Sequence, residues 1–262
     1  MLLMIDVGNT NITIGVYKED EIVANFRLTT KMRRTSDEFG ISLFSVFRTK
    51  NLNPEDIQGV LISSVVPKVM HSLNNAIRKY FNLEPMIVGP GVKTGISIKT
   101  ENPKELGADR IVDIAGAYHI YGGPAIVIDF GTATTYDYVN EKGEFEFGLI
   151  APGIETSGQA LWTQAAKIPE IEIKKPQNIQ CKNTITSMQG GLVYGYIGQT
   201  EYIIKKMKAS VGVPVKVIAT GGLGRIIYNE TDMIDVYDVD LPFKGMKIIY
   251  DKTMKTKEAN LS

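Results

Sequence analysis

The sequence predicts an α/β protein of two similar halves, each a mixed β-sheet with flanking helices. Three observations predict it. An apolar run ends in an aspartate-led turn twice, at residues 2–5 before Asp6-Val7-Gly8-Asn9-Thr10 and at 125–128 before Asp129-Phe130-Gly131-Thr132. After each turn come a β-rich stretch, a polar hairpin turn and a third stretch. The two junctions lie 123 positions apart in a chain of 262 residues, close to half its length. Residue identity between the halves is weak, so the order of elements carries the repeat.

Taken in order, residues 13–17 read as the second strand and 21–28 as the third, with the polar turn Lys18-Glu19-Asp20 between them. Thr35-Ser36-Asp37-Glu38 has the spacing of a capping box, and Phe39, Leu43, Phe44, Val46 and Phe47 follow on one helical face. Asn53-Pro54 breaks the chain before the buried strand Val60-Leu61-Ile62, which closes near Pro67. Val69, Leu73, Ala76 and Ile77 mark a second helix, and residues 85–88 a short strand. In the second half, 135–139 and 145–151 read as strands around a polar turn at 140–143. A long helix is expected near 186–209, with Glu201 and Lys205 at i,i+4, and a strand at 215–218 ends in Ala219-Thr220-Gly221-Gly222. Each half thus reads β-β-β-α-β-α-β. The boundary is placed between residues 1–117 and 118–262.

Composition removes several classes of function. With 44% hydrophobic and 22% charged residues the chain is globular rather than disordered. Its 29 basic and 29 acidic residues cancel, so no global field attracts nucleic acid or an anionic membrane. The lone Cys181 forms no internal disulfide, which points to a reducing, cytoplasmic setting. His71, His119 and Cys181 are too scattered for a structural zinc site. No apolar run reaches the roughly 18 residues of a membrane span. The N-terminus lacks a basic stretch and Asp6 interrupts its apolar run, so no secretion signal is expected.

A strand that ends in Asp delivers a carboxylate to the rim of a sheet, where open α/β folds bind ligands. A glycine two residues on lets backbone approach a bulky anion. Asn9, Thr10, Asn11 and Thr13 on the first turn, and Thr132, Thr134 and Thr135 on the second, add short polar donors that suit phosphates, while the two aspartates suit cations or water. A single Asp-x-Gly-x-Thr is an ordinary turn; two in equivalent places favour phosphate binding. The P-loop, the dinucleotide fingerprint and the protein-kinase signature set are all missing. Gly221-Gly222-Leu223-Gly224 follows a strand with the wrong dinucleotide spacing, and reads equally as the start of a helix or as a backbone platform beneath a nucleotide.

These features resemble the actin/hexokinase/heat-shock-ATPase superfamily. Asp6-Val7-Gly8-Asn9-Thr10-Asn11, Ser63-Ser64-Val65-Val66-Pro67, Gly107-Ala108-Asp109-Arg110, the run from Asp129 to Thr135, and Ala151-Pro152-Gly153 narrow the resemblance to the type III pantothenate kinases, collinear as far as about Lys252. The resemblance implies two ribonuclease-H-like halves with the nucleotide in the cleft between them. It also implies transfer of the ATP γ-phosphoryl to the primary hydroxyl of pantothenate, the first step of coenzyme A biosynthesis. Asp109 matches the catalytic aspartate, orienting and deprotonating that hydroxyl. Gly107, Ala108, Asp109, Arg110 and Thr184 match substrate-binding positions, and Asp6, Val7, Gly8, Asn9, Thr10, Asn11, Ile12, Thr13 and Thr132 match ATP-binding ones. Asp129 matches the ligand of a monovalent cation, potassium or ammonium, and Asp6 would support magnesium. Gly107 and Ala108 would leave room for substrate. Arg110 is open between a substrate anchor and a structural ion pair. From the residues alone Thr184 reads as a helix N-cap before Ile185, and the resemblance places it by a homodimer interface. Gly190, Gly191, Gly195 and Gly198 would let helices approach closely, within one chain or in the dimer.

Three departures stand out: Thr100 where many relatives have a substrate-contacting tyrosine, Phe147 where a Gly-Gly pair is common, and Gly158 within a helix. None removes a catalytic group, so an active kinase is expected. The rivals are another small-molecule kinase or phosphatase of the superfamily, and a non-enzymatic regulator. The intact Asp6, Asp109, Arg110 and Asp129 argue against a decayed site.

Overall fold

The computed structural model describes residues 1–165 and 167–260. It divides into two compact units, one of Met1–Gly95, Lys104–Gly116 and the chain from Pro242 on, the other of Ile96–Pro103 and Ala117–Leu241.

The first unit is built on β1 (Leu2–Val7), β2 (Asn11–Lys18), β3 (Glu21–Thr29), β4 (Gly59–Ser64) and β5 (Met86–Ile87), in the order β3-β2-β1-β4-β5. The first three strands form an antiparallel meander, and β4 and β5 run parallel to β1. A parallel neighbour needs a crossover, which α1 (Ser36–Thr49) and α2 (Pro67–Phe81) provide. The expected capping box starts α1. Thr35 Oγ1 accepts the Glu38 N–H at 3.2 Å, and Glu38 Oε2 accepts the Thr35 N–H at 2.7 Å. Pro67 takes the first position of α2, where its missing N–H costs nothing.

One face of this sheet buries Leu3, Ile5, Val7, Ile12, Ile14 and Val16 against Phe39, Leu43 and Phe47 of α1 and Leu73, Ala76 and Ile77 of α2. Each such aliphatic side chain contributes roughly 1.5–3 kcal/mol of burial. Phe44, expected on the same face, is 38% exposed and lies at its edge against Tyr80 and Phe81. The other face is covered from far along the chain. In α7 (Leu241–Ala259) the Phe243 ring lies where a Cβ on Gly15 would stand, the Tyr250 hydroxyl occupies the same place over Gly59, and Gly245 meets the Val112 carbonyl. A side chain at Gly15 or Gly59 would press α7 away from the sheet, and one at Gly245 would press it away from Val112.

The second unit repeats the plan. Strands β7 (Ala125–Phe130), β8 (Ala133–Val139), β9 (Glu144–Pro152), β10 (Lys216–Thr220) and β11 (Val236–Tyr237) stand in the order β11-β10-β7-β8-β9. The first three are antiparallel, and β10 and β11 run parallel to β7. The short β6 (Ser97–Ile98) adds an edge parallel to β9. Helices α4 (Ile154–Gln164), α5 (Thr184–Val211) and α6 (Gly224–Tyr228) belong to this unit, and Leu192, Val193, Tyr196, Ile204 and Met207 of α5 pack on Ile126, Ile128, Tyr136, Val217 and Ala219 of the sheet.

Gly158 has a packing reason. A Cβ there would stand 2.7 Å from the Trp162 ring and 3.3 Å from Leu192. Phe147 is absorbed by stacking on Tyr138, its partner across β8 and β9, at 5.1 Å between ring centroids. Glu201 accepts a hydrogen bond from the Thr231 hydroxyl at 2.8 Å. The cap of α5 is Asn183, whose Oδ1 accepts the Thr186 N–H at 2.9 Å, so Thr184 is the first helical residue and not the cap. Asn outranks Thr at this position because its carbonyl reaches the first turn without a β-branch. Among the described residues no helix is long and apolar enough to cross a membrane.

Candidate active site

In the first unit, β1 ends at Val7 and the chain turns through 8–10 into β2. Gly8 closes that turn with its own N–H, donated to the Asn11 carbonyl at 3.0 Å, and a Cβ on Gly8 would stand 3.2 Å from the same oxygen. Thr30, at the end of β3, holds the turn from the side. Its N–H donates to the Thr10 carbonyl at 2.9 Å and its hydroxyl to the Gly8 carbonyl at 2.7 Å. The sequence-expected ATP residues separate here. Asn9 and Asn11 are exposed, Thr10 and Thr13 half-buried, while the Val7 and Ile12 side chains are wholly in the core and serve the turn through backbone alone.

Asp6 stands just before this turn, opposite Thr13 on β2 and Ser63 on β4. Residues in register on neighbouring strands point to the same face, so a carboxylate and two hydroxyls gather there. Burial and the negative charge of Asp109 push the Asp6 carboxyl from 3.8 up to about 7; Ser63 opposes the rise weakly. Asp6 keeps some exposure as a residue, but its carboxyl lies deep among protein atoms. The Ser63 hydroxyl is fully buried beside it and meets hydrogen-bond geometry with no partner among the described residues.

Asp109 belongs to the first turn of α3 (Ala108–Tyr121). It is half-buried, and its Oδ1 accepts the Arg110 N–H at 2.8 Å. That carboxylate folds back over Gly107, where a Cβ would collide with Oδ1 and stand 3.3 Å from Val65. The glycine of Gly-Ala-Asp-Arg therefore makes room for the aspartate itself. Arg110 follows it, half-buried.

In the second unit Asp129 repeats the place of Asp6, in register with Thr135 on β8 and Thr220 on β10. Its carboxylate is enclosed by two glycines, Oδ2 lying 3.1 Å from a Cβ on Gly131 and Oδ1 2.6 Å from a Cβ on Gly221. Gly221 has φ +95°, a backbone that only glycine adopts without strain. Gly131 closes the second turn as Gly8 closes the first, donating its N–H to the Ala133 carbonyl at 3.1 Å. Thr132 is exposed, and its carbonyl accepts from the Gly153 N–H at 3.0 Å and the Thr156 hydroxyl at 2.7 Å. Ala151-Pro152-Gly153 is thus the strut of this turn. A Cβ on Gly153 would collide with the Gly131 carbonyl and press on that of Thr132. Gly153→Ala is expected to cost about 1–3 kcal/mol, read as a lowered melting temperature in thermal denaturation.

Gly224 starts the short α6, and a Cβ there would stand 2.7 Å from the Phe130 ring and 2.8 Å from that of Tyr237, while the Tyr237 hydroxyl donates to the Gly221 carbonyl at 2.7 Å. Thr184 lines an open groove at the start of α5 with Leu161, Cys181, Lys182, Met188 and Leu192. Thr184, Gly191, Gly195 and Gly198 are exposed on α5, and nothing lies within 4 Å of a Cβ on those three glycines. A Cβ on Gly190 would instead stand 2.9 Å from Cys181 Sγ.

Among the described residues no cluster of three or more His, Cys, Asp and Glu forms a metal cage. Magnesium bound with a nucleotide needs only one or two carboxylates beside the phosphates, and the hard oxygens of Asp6 and Asp109 fit that demand. Asp129, with hydroxyl-bearing Thr135 and Thr220 in register, fits a cation that takes oxygen ligands. Sequence reasoning missed the parts that hold the site. Thr30, Ser63 and Thr220 had no assigned role, and only the strand register, which sets Ser63 opposite Asp6 and Thr220 opposite Asp129, reveals two of them.

The family model of the type III pantothenate kinases matches residues 2–206. The chain belongs to this family. A type III pantothenate kinase of Agathobacter rectalis is 60% identical over 253 residues, 96% of this chain and 97% of the relative. One from Geobacillus kaustophilus is 49% identical over 257 residues, 98% of this chain and all of that one. The chain is accordingly an enzyme of the pantothenate kinase class, with a fold of the actin/hexokinase/heat-shock-ATPase type. Two solved structures bear on the fold alone. A Campylobacter jejuni protein described as a conserved putative Baf family transcriptional activator superposes with a TM-score of 0.59 at 22% identity, covering 97% of this chain and 99% of its own. MreB 5 of Spiroplasma citri, bound to AMPPNP, gives 0.58 at 13% identity, covering all of this chain and 98% of its own.

Proposed function

We propose that this chain transfers the γ-phosphoryl of ATP to the primary hydroxyl of pantothenate, giving 4'-phosphopantothenate at the start of coenzyme A biosynthesis, with Asp109 as the proton acceptor. The observation that carries the reading is the placement of Asp109, on the first turn of α3, near Asp6 at the end of β1, where its negative charge adds to burial in raising the Asp6 carboxyl. Two carboxylates so close favour a cation between or beside them, and phosphoryl transfer supplies one with the nucleotide.

In the reaction the bond from the γ-phosphorus to its bridging oxygen breaks, a bond to the substrate oxygen forms, and the hydroxyl proton must leave. A carboxylate is far too weak a base to strip an alcohol beforehand. The transition state of phosphoryl transfer is loose, so the hydroxyl becomes acidic only late, as the new bond forms. Asp109 then accepts the proton, and before that it orients the hydroxyl. Its own orientation is supported by the Arg110 N–H and the space over Gly107. Arg110 presents a permanent charge suited to the carboxylate of pantothenate. Residues 6–13 and Thr132 serve ATP, Gly107 to Arg110 and Thr184 serve substrate, and the backbone after β10 is the platform for the nucleoside. Magnesium, supported by Asp6, neutralises phosphate charge when bound; a monovalent cation, potassium or ammonium, belongs at Asp129. The exposed glycines of α5 support pairing with a second copy, a homodimer with Thr184 near its interface. The site calls for no nucleic acid or membrane, and the setting is the cytoplasm.

ADP release by the purified protein with ATP, magnesium and pantothenate is the test, with and without potassium. Turnover that needs pantothenate and rises with potassium is expected. Turnover on other alcohols but not on pantothenate would overturn the substrate, and equal turnover without a monovalent cation would remove the role given to Asp129.

A further inference from the structure

Strand register lays one pattern down twice. In the first unit Asp6 of β1 stands opposite Thr13 of β2 and Ser63 of β4; in the second, Asp129 of β7 stands opposite Thr135 of β8 and Thr220 of β10. The hydroxyl on the central parallel strand has the same peculiarity in both. Ser63 and Thr220 are each 0% exposed, and neither hydroxyl meets hydrogen-bond geometry with a partner among the described residues, although Ser63 lies near enough to the Asp6 carboxyl to favour its charged form. A buried hydroxyl without a partner costs about 1–3 kcal/mol. Packing alone gives no reason to keep it, since alanine would fill nearly the same space. Two such groups, each beside a rim carboxylate, indicate that a ligand completes a bond that each hydroxyl is already placed to make.

We propose that Ser63 is a positioning residue for the nucleotide-bound metal: when magnesium and phosphate draw Asp6 into place, the Ser63 hydroxyl donates to the Asp6 carboxylate oxygen that the metal leaves over and locks its orientation. The carboxylate has two oxygens and needs only one for the metal. The strand after Ser63 is itself tied to β1, because the Val65 N–H donates to the Val7 carbonyl at 3.1 Å. The donor is therefore carried on the same rigid pair of strands as its acceptor, as a positioning group needs. Thr220 at the equivalent place marks threonine as the conservative replacement. This inference rests on the reading of Asp6 as the magnesium-side carboxylate.

Ser63→Ala, Ser63→Thr and the parent are compared in two assays: the thermal shift produced by ATP with magnesium against ATP with a chelator, and steady-state turnover with pantothenate. For Ser63→Ala the ligand-free melting temperature is expected to equal or exceed that of the parent, because an unsatisfied group has been removed. Its magnesium-dependent thermal shift shrinks by at least half, the magnesium needed for half-maximal turnover rises about tenfold, and KM for pantothenate stays within twofold. Ser63→Thr regains most of the magnesium-dependent shift. An unchanged shift and magnesium requirement in Ser63→Ala overturn the proposal, as does a lowered melting temperature with the magnesium response intact, which marks a packing role. The thermal shift needs no pantothenate. Failure of the parent to phosphorylate pantothenate would sink the proposed reaction while leaving this test readable.

Discussion

Replacing Asp109 with asparagine is expected to lower kcat by about 10²–10⁴-fold, the usual share of a positioned proton acceptor, with little change in KM for ATP. The substitution is close to isosteric, and its consequences for the fold are small for a structural reason. The side-chain oxygen of asparagine accepts the Arg110 N–H as Oδ1 of Asp109 does, and it occupies the same space over Gly107. What is lost is the capacity to take a proton. Removing the Asp109 charge also removes one of the two causes that raise the Asp6 carboxyl, so the variant should fold at least as stably as the parent near neutral pH. Steady-state kinetics with both substrates and a melting curve on the same preparation check both statements. A kcat within threefold of the parent would leave a kinase in place and take the proton from Asp109.

The second large effect is on stability. In the ligand-free protein Asp6→Asn is expected to raise the melting temperature at pH 8 and to abolish turnover. The folded chain holds the Asp6 carboxyl at about 7, against 3.8 when unperturbed. Between those two values the folded state keeps a proton that the unfolded chain has released, so stability falls as pH rises through the window and levels off above about 7. Three pH units of displacement correspond to on the order of 2–4 kcal/mol after allowance for partial exposure. Asparagine carries no charge to desolvate, so the variant lacks this loss. The expected gain is roughly 4–8 °C at pH 8, shrinking toward zero near pH 4. Melting curves of parent and variant across pH 4–8, without nucleotide or magnesium, decide it. A variant less stable than the parent at pH 8 would mean that Asp6 is held charged by partners that compensate its burial.

These two residues also divide what could be read in the chain from what could not. The aspartate-led turns, the hairpins and the capping box at Thr35 follow from short-range rules, because each depends on neighbours within a few residues. The mixed sheet in each half was legible for the same reason: apolar strand runs, turn residues and amphipathic crossovers leave few ways to pair. The site residues could be named because glycine and aspartate at those spacings leave few chemical uses. Their roles were less legible. Gly107 makes room for its own neighbour Asp109, and Gly153 carries the second turn, since each closeness joins atoms that the spacing alone does not place together.

What the sequence by itself determined is the repeated α/β unit, the two acidic turns, and a balanced charge with a single cysteine. Tertiary structure alone decided three further things. It brought α7 to the first sheet, where Gly15 and Gly59 yield space to Phe243 and Tyr250, and to Val112, where Gly245 gives room. It set Asp109 near enough to Asp6 for its charge to help raise the Asp6 carboxyl. It left the Ser63 and Thr220 hydroxyls buried beside the two rim carboxylates, neither meeting hydrogen-bond geometry with a partner among the described residues. The physical reason is common to all three. Propensity and periodicity act over a few residues, whereas desolvation, charge coupling and steric room depend on which distant segments finally pack together.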